Sequence, residues 1–142
     1  MLSSTKKKIT ISPKVVVIGL GYIGFPTYLL LSRKLNSVYG FDTDQNKIEK
    51  IKRGNFQFNE TDLNKIYKRL ILKKKINVSR KLIQADVYLI TVQTPIKISN
   101  QPDLKYLIKA IKNICKVLNK DNLIIIESTS PVGTIDKIIK II

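Results

Sequence analysis

Apolar residues recur along this chain in two rhythms, and the rhythms alternate. Val15–Ile18 is an unbroken run of four β-branched residues, the pattern of a strand buried on both faces. Residues 22 to about 35 then place apolar side chains at helical spacing. A second short strand is predicted over 38–42 (VYGFD), and a helix over 44–53 whose body is Gln45–Lys52. Gly54 supplies the stop signal of that helix. Residues 60–73 predict another helix, with Leu63, Ile66, Tyr67, Leu70 and Ile71 along one face. Short and long strands follow over 76–78 and 87–92, the second ended by Pro95.

A polar loop is predicted over 95–102. The next helix is predicted over 102–118, its inward face formed by Leu104, Leu107, Ile108, Ile111, Ile114, Cys115 and Leu118. Leu123–Ile126 (LIII) reads as one more buried strand, and residue 132 onward as a final helix. Strands that alternate with helices imply right-handed crossovers and a parallel sheet covered on both faces. The expected class is therefore α/β, a Rossmann-like doubly wound sheet cut off after the fifth or sixth strand–helix unit. Such sheets bind ligands at the carboxyl ends of their strands.

Composition narrows the class. The 142 residues suit one domain, and 44% hydrophobic with 25% charged residues suits a globular one. No apolar run approaches the roughly 18 residues that span a membrane. Residues 1–13 carry three consecutive lysines with no apolar segment behind them, so they read as a flexible basic leader and not as a secretory signal. A domain is expected over 14–142. The single cysteine, Cys115, excludes an internal disulfide and a cysteine-based metal cluster, fits a cytoplasmic location, and reads as a buried, inert thiol on its helix. No metal site is expected.

The formal charge of +16 raises the question of nucleic acid. The cations are overwhelmingly lysine and are spread along nearly every segment. Few arginines and few aromatics are a poor basis for base readout or stacking, so the charge reads as compositional drift and no nucleic-acid partner is expected.

Three motifs carry chemistry. The first is Gly19-Leu20-Gly21-Tyr22-Ile23-Gly24, a G-x-G-x-x-G that follows a strand and opens a helix, with Asp42 about 20 residues on. Gly19 permits the tight turn, Gly21 lets a pyrophosphate approach the backbone, and Gly24 lets helix and strand pack closely. The helix N-terminus offers free N–H groups to phosphates. Asp42 is suited to accept hydrogen bonds from the adenosine ribose and to repel a 2′-phosphate, which favours NAD over NADP. Lys47, a helical turn beyond, can approach the adenosine end. Tyr28 stands where such a helix usually carries a small residue toward the sheet, and a ring there must find room and is expected to loosen the helix–strand contact.

The second motif, Thr91-Val92-Gln93-Thr94-Pro95, ends a strand beside the expected cofactor, where the Thr94 hydroxyl can reach the nicotinamide-side ribose or the phosphates. The third, Glu127-Ser128-Thr129-Ser130-Pro131-Val132-Gly133-Thr134, opens from another strand end. Helix capping by Ser130 before Pro131 would explain one of its hydroxyls.

In these three motifs the chain resembles the N-terminal domain of the UDP-glucose/UDP-N-acetylmannosamine dehydrogenases. The resemblance spans roughly residues 14–142 through VIGLGYIGFPT, GFDTD, ADVYLITVQTP, PDLKYL and LIIIESTSPVGT. YIGFPT and ESTSPVGT point to the UDP-N-acetylmannosamine branch. The resemblance implies NAD-dependent oxidation of the C6 alcohol of a UDP-sugar to a uronate, for polysaccharide biosynthesis, by an enzyme that is a homodimer when complete. It places Tyr22, Ile23, Asp42, Thr94 and Thr129 at cofactor-contact positions, and Thr129 next to the reaction centre, where it helps hold a water. Gln93 stands where the family prefers proline, and Ile135 where a second threonine often follows.

The same resemblance implies a nucleophilic cysteine, a lysine, an asparagine and a UDP-binding domain, all expected beyond residue 142. The chain is accordingly expected to supply the NAD-binding domain and, alone, to be inactive. A catalytically incomplete remnant or partner subunit, or a member of the UDP-glucose branch, is the alternative.

Overall fold

A computed structural model of the chain describes residues 12–97 and 101–142. Nearly all of the expected leader, and residues 98–100 of the polar loop, lie outside the described residues. The elements run β1 (Val15–Ile18), α1 (Gly24–Lys34), β2 (Val38–Phe41), α2 (Gln45–Lys52), α3 (Thr61–Leu72), β3 (Val78–Ser79), β4 (Val87–Ile90), α4 (Lys105–Ile114), β5 (Leu123–Ile126) and α5 (Thr134–Ile139). The five strands form one parallel sheet in the order β3-β2-β1-β4-β5.

β1 is unbroken apolar because it is central. Val16 and Ile18 face one apolar layer with Tyr88, Ile90, Leu107, Ile111, Ile114 and Ile138. Val17 faces the other with Leu20, Phe25, Tyr28, Leu29, Tyr67 and Leu70. Successive side chains alternate between faces, so burial on both sides demands an apolar residue at every position. The chain leaves β1 toward β2 and β3, then returns to β4 on the opposite side. The strand order thus reverses between β1 and β4, which opens a crevice at their carboxyl ends.

Tyr28 corrects an expectation. Its ring is fully buried without forcing helix and sheet apart. It stacks near Phe25, with ring centroids 6.1 Å apart, and its hydroxyl accepts a 2.7 Å bond from the Asn77 N–H. The ring finds room in the layer shared with α3 and the approach to β3, so it ties α1 to the β3 edge. Burial raises the pKa of this hydroxyl.

β5 corrects another. Its pairing with β4 runs as expected from Leu123 to Ile126, but it is an edge strand, and Leu123 and Ile125 are 54% and 42% exposed. Ile124 and Ile126 pack toward α4, while the opposite face lies past the reach of α1. Four apolar residues in a row therefore signal burial on only one face here.

Two helices are shorter than their patterns predicted. Past Ile114 the bonds tighten to i→i−3, from Lys116 to Asn113 and from Val117 to Ile114, so α4 gives way to a turn. Cys115 ends that helix, half-buried. α5 begins at Thr134 behind Gly133, whose φ is +81°, and no side chain caps it. Ser130 is thus not its cap; the Thr134 hydroxyl donates to the Pro131 carbonyl instead, at 2.7 Å. Ile138 is buried and Ile141 packs on the same layer, while Ile135, Ile139 and Ile142 are exposed.

Candidate nucleotide-binding site

The glycine loop is shaped by what surrounds each glycine. Gly19 has φ +93°, a left-handed conformation that favours glycine. A Cβ on Gly24 would overlap the Gly19 carbonyl oxygen and the Thr91 hydroxyl, so this position brings α1 against the loop and β4. Gly21 is different: a Cβ there would meet nothing within 4 Å. No neighbouring protein atom excludes a side chain at Gly21, and the space above it is open to a ligand.

α1 starts two residues later than its pattern predicted, at Gly24. Tyr22 and Ile23 therefore belong to the loop and are exposed. Ile23 holds the N-cap position and offers no capping side chain. Among the described residues, the N–H groups of Gly21, Tyr22 and Ile23 have no hydrogen-bond partner in the loop. Unpaired N–H groups at a helix start, with the positive end of the helix dipole behind them, suit an anion such as a pyrophosphate.

Asp42, just past β2, is buried at 7% exposure. Its Oδ2 accepts from the Leu20 N–H at 2.9 Å and from Lys47 Nζ at 2.7 Å. Its Oδ1 accepts from the Asp44 N–H at 2.9 Å. Asp44 in turn caps α2 through the Lys47 N–H, which sets Lys47 in the first turn and brings its ammonium back to Asp42. The two sequence-predicted adenosine residues are thus joined to each other and to the loop.

The other two motifs also meet. The Thr94 hydroxyl donates to the Thr129 carbonyl at 2.7 Å, and the Ser128 hydroxyl donates to the Val92 carbonyl at 2.5 Å. These bonds lace the end of β4 to the end of β5. One recess is bounded there by Gly21, Tyr22, Ile23, Thr94, Glu127 and Thr129.

On the other side of the loop lies a cleft of about 280 Å³, lined by Gly19, Gly21, Asp42, Lys47, Thr91 and Gln93 with part of α4. Gly21, Thr91, Val92 and Gln93 border both spaces. Together they form a trough along the carboxyl edge of the sheet, with the glycine loop at its middle. Tyr106, Lys109 and Asn113 of α4 also line the cleft and were missed from sequence. They fall at i, i+3 and i+7, a polar stripe opposite an apolar face, and that periodicity was the signal available. Among the described residues, no three His, Cys, Asp or Glu side chains gather as a metal group, and no helix is long and apolar enough to cross a membrane.

A dinucleotide needs such a trough with an anion site at its centre. Residues 13–142 match the model of the UDP-glucose/GDP-mannose dehydrogenase family, NAD binding domain. The chain belongs to this family. Its NAD-binding domain is 39% identical over 123 residues to UDP-N-acetyl-D-mannosamine dehydrogenase of Escherichia coli (strain K12), covering 87% of this chain and 29% of that protein. It is 40% identical over 128 residues to the Campylobacter jejuni protein of the same name, covering 89% of this chain and 31% of that protein.

The solved UDP-N-acetyl-mannosamine dehydrogenase of Staphylococcus aureus superposes with a TM-score of 0.82 at 33% identity, over 89% of this chain and 31% of that one. The chain therefore spans about 29% of the length of the first of these relatives. The NAD-binding domain has the Rossmann-like fold read from its alternating strands and helices.

Proposed function

We propose that this chain is the NAD-binding part of a UDP-N-acetyl-D-mannosamine dehydrogenase, an enzyme that oxidises the C6 alcohol of a UDP-sugar to the uronate. The observation that carries the reading is the open Gly21 backbone set between the Asp42–Lys47 pair and the Thr94–Thr129 bond. Identities of 39% and 40% to proteins of that name support the choice of sugar.

In this reading Gly19, Gly21 and Gly24 form the phosphate loop, and the N–H groups of Tyr22 and Ile23 hold the pyrophosphate. Asp42 and Lys47 take the adenosine ribose, with the carboxylate selecting NAD over NADP. Thr94 and Thr129 stand at the nicotinamide end, where Thr129 borders the reacting carbon and helps hold a water. NAD, when bound, supplies the hydride acceptor. The cysteine, lysine and asparagine of the reaction, and the residues that hold UDP, lie outside these 142 residues. Alone, the chain binds the dinucleotide without turning over a UDP-sugar.

Isothermal titration of the chain with NAD, beside Asp42→Ala, tests the cofactor site. Binding by the parent and weak binding by the variant are expected. No heat from the parent, or equal heats from both, refutes the assignment. Joining the chain to the remaining two thirds of the Campylobacter relative tests the reaction: a folded chimera that forms no NADH from UDP-N-acetylmannosamine refutes it.

A further inference from the structure

We infer that Thr91 is a positioning residue for pyrophosphate binding, because its hydroxyl and the Asp42 carboxylate hold the Gly19–Leu20 peptide from opposite ends. The inference rests on the nucleotide-binding reading of the loop. The Thr91 hydroxyl donates to the Gly19 carbonyl at 2.8 Å. The N–H of the same peptide unit, on Leu20, donates to Asp42 Oδ2 at 2.9 Å. The end of β4 thus holds the carbonyl end of the unit and the end of β2 holds its amide end.

The peptide needs holding because it follows a glycine. Gly19 sits at φ +93°, and glycine reaches several backbone regions at little cost. Rotation of the Gly19–Leu20 unit would reverse the directions of its C=O and N–H. A carbonyl dipole turned toward a pyrophosphate would repel it, where the observed orientation commits that oxygen to Thr91.

The hydroxyl has one proton and two carbonyls in reach, the other being Ile18 O at 3.0 Å. Ile18 O already accepts from the Thr91 N–H at 2.9 Å. Gly19 O is the shorter contact, and among the described residues it has no backbone donor, so the proton is best used there. Thr91 is 8% exposed, so little water competes for the bond. The missing Cβ of Gly24 completes the arrangement, since any side-chain atom there would occupy the space in which Thr91 and Gly19 meet.

The test compares Thr91→Val, Thr91→Ala and Thr91→Ser in the whole chain. Affinities for ADP-ribose and for adenosine are read by NMR-detected titration, after melting curves have been recorded. Loss of one buried hydrogen bond predicts ADP-ribose binding weakened roughly five- to tenfold in Thr91→Val and Thr91→Ala, and by no more than about twofold in Thr91→Ser. Adenosine, which has no pyrophosphate, should bind all four proteins alike.

The inference is overturned if Thr91→Val and Thr91→Ala bind ADP-ribose as tightly as the parent. It is also overturned if Thr91→Ser is as weak as Thr91→Ala, which would assign the effect to the lost methyl. Equal losses for adenosine, or a Thr91→Ala chain with no folding transition, would assign the hydroxyl to general stability and overturn it too. If only Thr91→Val fails to fold, the alanine and serine pair decides. A parent chain that does not bind ADP-ribose overturns the nucleotide reading itself, a result distinct from a parent that binds and variants that match it.

Discussion

Lys47 Nζ stands 2.7 Å from Asp42 Oδ2, an ion pair that joins the first turn of α2 to the end of β2. Its carboxylate is almost wholly buried, whereas the lysine side chain is 30% exposed. The carboxylate is anchored by two backbone N–H groups, so the lysine is the less constrained partner. The pair places a negative group with its own neutralising cation in the lining of the cleft beside the glycine loop.

Asp42→Asn keeps the shape and removes the charge that repels a 2′-phosphate, and it frees Lys47 to attract one. The ratio of NADP to NAD dissociation constants is expected to fall by about tenfold or more. Competition titrations of the two dinucleotides measure the ratio, and an unchanged value would contradict the role given to Asp42.

Two alanine substitutions in one loop should separate folding from binding. In Gly24→Ala the new methyl overlaps the Gly19 carbonyl and the Thr91 hydroxyl, so a loss of about 1–3 kcal/mol in stability is expected. In Gly21→Ala the methyl meets no protein atom, so the melting temperature should hold while NAD binding drops. Equal melting temperatures for the two variants would show that the loop yields where the geometry says it cannot.

Tyr67 gives the fold a pH dependence at the alkaline end. Its hydroxyl donates to the Ile51 carbonyl at 2.5 Å, and burial pushes its pKa up to about 12 from 10.0. The unfolded chain loses this proton near pH 10 and the folded chain near pH 12. The contribution is thus full below pH 10 and is lost as pH rises toward 12, with a slope of at most ~1.4 kcal/mol per pH unit. Tyr28, raised in the same direction, adds to the fall. Urea unfolding at stepped alkaline pH should show a shallower decline for Tyr67→Phe than for the parent, and parallel curves would remove Tyr67 as a cause.

The β5 edge should govern self-association. It exposes Leu123 and Ile125 on one face and, among the described residues, has no strand paired along its outer side, a recognised route to edge-to-edge pairing. Because Ile125 is 42% exposed, Ile125→Lys should change stability by less than about 1 kcal/mol. It should also reduce concentration-dependent light scattering. Scattering equal to the parent's would place association elsewhere, with Ile139 and Ile142 the next residues to change.

Particular residues mark what was readable along the chain. The spacing of Gly19, Gly21 and Gly24 after a β-branched run predicted the loop, because a left-handed turn and a tight helix contact exclude side chains locally. The places of Asp42 just past β2 and Lys47 in the first turn of α2 were legible along the chain, whereas their ion pair was not. The polar stripe Tyr106, Lys109 and Asn113 shows along the chain only as a helical period, which does not say that it faces the cleft. Thr91 opens the motif at the end of β4, but nothing local names what its hydroxyl holds, because its partners are 72 and 73 residues away in sequence.

The sequence by itself determined the alternation of strands and helices, the glycine loop and the acidic residue that follows it, since each depends on backbone preference and side-chain period over a few residues. Only the tertiary structure decided that β5 is half exposed, that Tyr28 has room, that Thr94 bonds to Thr129, and that Thr91 and Asp42 grip the same peptide. Those outcomes depend on which strands the crossovers set side by side. Parallel strands owe their neighbours to connections folded over the sheet, and no local rhythm states the distance between residues so joined.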